Sequence, residues 1–207
     1  MNTRIRLSTI ALPALILLAS FLTACSGVLT SEQPAKQYYT LMPYGAGGHP
    51  GSIDSPALAL TLTVVPGLDT DRILALGADA SLHRYANARW PDNLPEVLTS
   101  VMRRSLLASG HFSAVEASGR KAVGRWGLKL EVQQFYGIRN SAGVTSSVLV
   151  DMAGELDCGG SNHQLAVSAS TAVPEERLSA IVAAHQASLD EATRQLLART
   201  SELCSTD

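Results

Sequence analysis

Trp126-Gly127-Leu128-Lys129-Leu130-Glu131-Val132-Gln133 decides the fold class. Trp126, Leu128, Leu130 and Val132 alternate with Lys129, Glu131 and Gln133, the period of two of a strand with one face buried and the other in water. A hairpin partner follows across Arg139-Asn140-Ser141-Ala142-Gly143, where Val144, Ser146, Val148, Val150 and Met152 mark a second strand. Beyond the turn Asp157-Cys158-Gly159-Gly160-Ser161-Asn162, residues His163 to Thr171 supply a third. Pro174 breaks this pattern, and from Glu175 onward Leu178, Ile181, Val182, His185, Leu189, Leu196 and Leu203 recur at helical spacing, with His185 expected at the rim of the stripe.

Upstream, Asn93 and Pro95 open a helix whose apolar stripe is Val97, Leu98, Val101, Met102, Ser105 and Leu106, and Gly110 ends it. Phe112 to Val115 reads as a short strand. Leu58, Leu60, Leu62 and Val64 alternate up to Pro66-Gly67, a half-buried strand, and a short strand is expected at Tyr38 to Met42. Arg72 to Leu76 and Ser81 to Tyr85 read as two more short strands. Strands, helix, antiparallel strands, helix is the order of an α+β domain: an antiparallel sheet with two main helices packed on one face. The long stripe of the last helix leaves room for contact with a neighbouring subunit, and hence for a homo-oligomer.

The N-terminus has a different character. Arg4 and Arg6 precede an apolar stretch from Leu7 to Leu22, shorter than the roughly 20 apolar residues that span a bilayer. It ends in Leu22-Thr23-Ala24-Cys25, which resembles a lipobox, in which the Cys25 sulfur takes up diacylglycerol and Ala24 fits the peptidase pocket. An ordinary signal peptide or an uncleaved anchor with a coincidental cysteine is the alternative. The expected organisation is a lipoprotein signal peptide over residues 1–24, a flexible lipidated tether over 25–36 and a folded domain over 37–207. Two or more acyl chains hold a protein durably on a membrane. Ser26 stands where Asp would signal inner-membrane retention, which by resemblance to sorted lipoproteins favours the outer membrane.

Composition limits the partners. Of 207 residues, 46% are hydrophobic and 16% charged, enough apolar content for one real core. The net charge of −2 becomes −4 over residues 25–207, and with no basic run nucleic acid is not an expected partner. In an oxidising compartment Cys158 and Cys204 are the pair left once Cys25 is lipidated. A bridge between them would pin the last helix to the sheet; two independent buried thiols are the alternative.

No catalytic or metal-binding motif emerges. Gly143-Val144-Thr145-Ser146-Ser147 lacks the second glycine of a nucleophile elbow, and there is no phosphate-binding glycine loop. His49, His83, His111, His163 and His185 never fall at paired-ligand spacing, and Glu175-Glu176 suits a helix start. No enzyme, metal or cofactor is expected beyond the covalent lipid. Arg89-Trp90, before a helix, reads either as an exposed recognition anchor or as a staple holding helix to sheet.

Tyr38-Tyr39-Thr40-Leu41 after the lipobox, then Arg89-Trp90 with Leu94-Pro95 opening a helix that ends in Gly110-His111-Phe112, resembles the ABC-type transport auxiliary lipoproteins, among them the lipoprotein of the paraquat-inducible intermembrane transport systems. The resemblance runs through most of residues 25 to 200, less clearly at 67–80. It implies an outer-membrane lipoprotein facing the periplasm, partnered with an MCE-domain protein and an inner-membrane ABC permease and ATPase that move lipids, and acting by position rather than chemistry. A self-contained periplasmic lipid carrier is the alternative, and would need an apolar cavity. A periplasmic hydrolase ranks third.

Overall fold

The computed structural model describes residues 35–117 and 126–205, so Cys25, the leader and most of the tether lie outside the described residues. Among the described residues the chain forms β1 (Gln37–Tyr38), β2 (Ala57–Val64), β3 (Arg72–Leu76), β4 (Leu82–Arg89), α1 (Leu94–Ala108), β5 (Ala114–Ala117), β6 (Trp126–Arg139), β7 (Thr145–Asp157), β8 (Asn162–Ala172) and α2 (Leu178–Cys204). The α+β class is as expected. The sheet, however, is mixed rather than antiparallel.

β6 organises the sheet. One side pairs antiparallel with β7, which pairs antiparallel with β8. Its other side takes two strands in succession, both parallel to it: β2 along Trp126–Val132 and β3 at Gly137–Ile138. The run from β2 to β3 is interrupted at Pro66-Gly67, where proline has no N–H for the ladder. β5 adds parallel to β2 through a crossover that contains α1, as parallel neighbours require. β4 returns antiparallel to β3, and β1 pairs parallel with β4.

One face of the sheet is the core face. Leu58, Leu60, Leu128, Leu130, Val132, Val150 and Met152 point from it into one continuous apolar cluster with the inner faces of both helices. The opposite face of β6 and β7 carries Lys129 and Glu155, an exposed ion pair at 3.6 Å that Gln164 of β8 joins by donating to Glu155 at 3.2 Å. A bulge between Val132 and Gln134 shifts the alternation of β6 by one, so that Phe135 rather than Gln134 faces the core.

α1 buries every residue of the expected stripe. Asn93 is its N-cap residue without a side-chain cap bond, and the chain leaves it at Ser109 and Gly110, whose φ of +77° is the left-handed conformation glycine adopts freely. α2 starts at Leu178, three residues later than expected. It buries mostly small and polar residues, including Ala180, Ala184, Ser188, Ala192 and Thr193. Small side chains let its axis lie close to β7 and β8. Gly154 of β7 makes the matching concession within the sheet: a Cβ there would overlap the Lys129 carbonyl of β6.

Candidate functional site

The junction between β4 and α1 holds the residues that the sequence singles out. Its backbone is tied on two sides. Trp90 N–H donates to the Asp71 carbonyl at 2.8 Å and Leu94 N–H to that of Thr70 at 3.1 Å, while the Arg89 carbonyl accepts from Tyr39 at 2.9 Å. These bonds send the two side chains apart. The Arg89 guanidinium pairs with the Asp71 carboxylate, and Arg89 Nε is buried without a partner. Trp90 points inward, 1% exposed, edge-on to Phe135 at 6.0 Å and to His185 at 5.5 Å. The indole therefore has the placement of a core staple and not that of an exposed recognition anchor, because the strand alternation that leaves Arg89 at the rim turns Trp90 to the helices.

His185 corrects a second expectation: it is a fully buried residue and not a rim residue. Nδ1–H donates to the Ile181 carbonyl at 2.9 Å, and Nε2 has no partner. Burial drives its pKa down to about 4, against the smaller opposing effect of the Ile181 bond. The ring is neutral at neutral pH and packs as an aromatic between Trp90 and Phe135.

Both helices are crossed by a strap that continues from β1. Leu41 is buried beneath it. Gln186 of α2 clamps Met42 in the manner of a neighbouring strand: Met42 N–H donates to Gln186 Oε1 at 2.7 Å, and Gln186 Nε2 donates to the Met42 carbonyl at 3.0 Å. Tyr44 N–H then donates to Ser105 Oγ on α1 at 2.9 Å. Tyr38 and Met42 remain exposed on this strap, large apolar side chains at the root of the tether. At the far end of α2, Cys204 is joined to Cys158 in a disulfide with Cα atoms 5.5 Å apart, fastening the helix to the β7–β8 turn.

One constellation had no signal in the sequence. In the β3–β4 turn, Ser81 Oγ lies 2.5 Å from Asp79 Oδ1 and 2.8 Å from His83 Nε2, beside a shallow cleft that Arg139 and Asn140 also line. The order is carboxylate, hydroxyl, imidazole. A nucleophilic serine needs the imidazole to accept its proton and the carboxylate to hold the imidazole. Here Asp79 accepts the Ser81 proton, which leaves His83 to donate. Hydrogen bonds from Ser81 lower the Asp79 pKa. The group braces a turn in which Ala80 adopts a φ of +62°. Among the described residues no three His, Cys, Asp or Glu side chains gather into a group that could hold a metal, and no helix is long and apolar enough to cross a membrane.

A mixed sheet with two helices on its buried face, strapped at its N-terminal edge and bridged at its C-terminal helix, is the α+β architecture of the described residues. The family model for the ABC-type transport auxiliary lipoprotein component matches residues 39–197, and the chain belongs to that family. Membership makes it an auxiliary lipoprotein of ABC-type transport. Two solved structures are similar in fold. A crystal structure of an uncharacterized protein superposes with a TM-score of 0.65 at 13% identity, over 82% of this chain and 99% of the other. A protein from Xanthomonas campestris does so with a TM-score of 0.59 at 17% identity, over 83% and 100%. None of the curated proteins compared with the chain matches it.

Proposed function

We propose that this chain is a non-enzymatic lipoprotein subunit, anchored through Cys25 in the outer membrane and facing the periplasm, that docks on an MCE-domain protein of an ABC-type system moving lipids between membranes. The observation that carries this reading is the family match across residues 39–197. The folded body supports it. Trp90, Phe112, Phe135 and Met102 fill the layer between helices and sheet, where a self-contained carrier would need an apolar cavity. The Ser81 constellation has its proton directed the wrong way for a hydrolase.

The twelve residues from Cys25 to Lys36 span at most about 40 Å fully extended, enough to let the body stand clear of lipid headgroups while staying beside them. Charge favours the same arrangement: the balance of −4 over residues 25–207 gives no attraction to anionic lipid, which leaves the acyl chains as the attachment. Affinity capture of the full lipidated chain from detergent-solubilised membranes tests the proposal. Recovery of an MCE-domain protein together with the permease and ATPase is the expected result. Repeated capture without them, from membranes that contain all three, would overturn it.

A further inference from the structure

β8 is an edge strand of an unusual kind. Among the described residues it pairs with β7 alone, in a register that runs without a shift through eleven pairs from Ser147–Ala172 to Asp157–Asn162. Edge strands are ordinarily protected by shortness, charge, proline or a bulge. The other extremities of this sheet follow that rule, since β1 has two residues and β5 has four. β8 has no Lys, Arg, Asp, Glu, Pro or Gly, and no bulge. Its core-facing residues also retain some exposure, 7% at Leu165, 4% at Val167 and 6% at Ala169, whereas Val148, Val150 and Leu156 of β7 have none.

We propose that β8 pairs antiparallel with β8 of a second copy of this chain, about a two-fold axis at Val167, joining two sheets into one. This goes beyond the proposed transport role and does not depend on it. A two-fold axis perpendicular to the sheet keeps the core faces of both copies on the same side and makes the contact self-complementary. Leu165 of each chain then lies opposite Ala169 of the other, large against small. Ala166 meets Ser168 on the open face, and no two like charges meet. The one titratable residue of the strand, His163, falls opposite Thr171 on the side facing α2. There a groove of about 460 Å³ separates the strand end from α2, walled by Ala180, Ala183, Glu175 and Arg177. Its alanines keep the groove open beside the strand end, and at its rim Glu175 is paired with Arg177, so the groove offers the second strand no unpaired charge. The occupant that suits both the uncharged edge and this groove is the strand itself.

Native mass spectrometry of the full lipidated chain released from detergent tests the pairing. The wild type is expected at the mass of two chains. A166K/S168K and A166E/S168E alter only exposed side chains of the open face, and each is expected to lose the two-chain species, because four like charges meet across the axis. Mixing the two variants is expected to restore a mixed two-chain species, since position 166 of one chain meets position 168 of the other. That restoration also establishes that both variants fold. A wild type of single-chain mass, including one that captures a strand from another protein, overturns the proposal. So does a two-chain mass that survives in both variants, or a mixture that stays unpaired.

Discussion

The indole of Trp90 meets the imidazole of His185 edge-on, with ring centroids 5.5 Å apart, in a layer where neither side chain reaches water. The contact joins the end of β4 to the N-terminal third of α2, and Phe135 of β6 completes the aromatic group at 6.0 Å from one ring and 5.1 Å from the other. Removing the indole opens a cavity at the point where strand, helix and sheet converge. Trp90→Ala is expected to lower unfolding free energy by about 3–5 kcal/mol, and Trp90→Phe by less. Urea titration followed by circular dichroism measures both. An alanine variant of wild-type stability that no longer captures its partners would return Trp90 to a recognition role.

His185 makes stability depend on pH. Its pKa is about 4 in the fold and near 6.5 in the unfolded chain, so the unfolded state binds the proton more readily. The sign follows: stability is unaffected above about pH 6.5 and falls as pH drops toward 4, by on the order of 3 kcal/mol from this residue. His185→Leu retains apolar volume and removes the proton site. Thermal melts from pH 7 to pH 4 are expected to show a shallower decline for the variant. Parallel declines would locate the acid sensitivity elsewhere.

The Cys158–Cys204 bridge closes a separation of 46 residues. In the chain-entropy account such a loop restricts the unfolded chain by roughly 4 kcal/mol. Paired Cys158→Ser and Cys204→Ser substitutions are expected to lower the denaturation midpoint by a corresponding amount. Proteolysis is expected to begin near the end of α2, which terminal-fragment mass spectrometry would detect.

At Gly154 the constraint is contact between neighbouring strands. A methyl group meets the Lys129 carbonyl, a backbone atom that can move only if β6 and β7 separate. Gly154→Ala is expected to cost about 1–3 kcal/mol, the range of an overpacked interior, with faster amide exchange along β6. An unchanged melting temperature would mean that the two strands part easily.

Cys25→Ser removes the thiol that the proposed lipid anchor requires. The variant is expected to lose radiolabelled fatty acid and to leave the membrane fraction on washing, while the folded body is unaffected. Equal membrane retention of the serine variant would overturn lipid anchoring.

Much of the fold is legible locally. The alternation around Leu128 and Leu130 marks β6, and the stripe from Val97 to Leu106 marks α1, because each is dictated by the burial of one face. Strand direction is not legible in this way. Nothing in Leu58–Val64 distinguishes a parallel from an antiparallel neighbour, since that choice is set by the path of the chain through α1 and β5. The bulge at Gln133 is equally silent in a run of two glutamines, although Phe135 after them hints at a shifted alternation. His185 reads as a rim residue because a polar ring on a helix stripe ordinarily lies at a boundary, and only the aromatic walls of Trp90 and Phe135 make its full burial tolerable. Trp90 could be narrowed to two readings from its neighbours, and the backbone bonds to Asp71 and Tyr39 separate them.

The clamp of Gln186 on Met42 gives the domain a defined mechanical path. A pull arriving at Lys36 first loads the parallel pairs Gln37–Ala88 and Tyr38–Arg89, then passes through the paired amide bonds of Gln186 into α2. That helix is held to the β7–β8 turn by a covalent bond at its far end. Traction applied at Lys36 is thereby delivered to a cross-linked element.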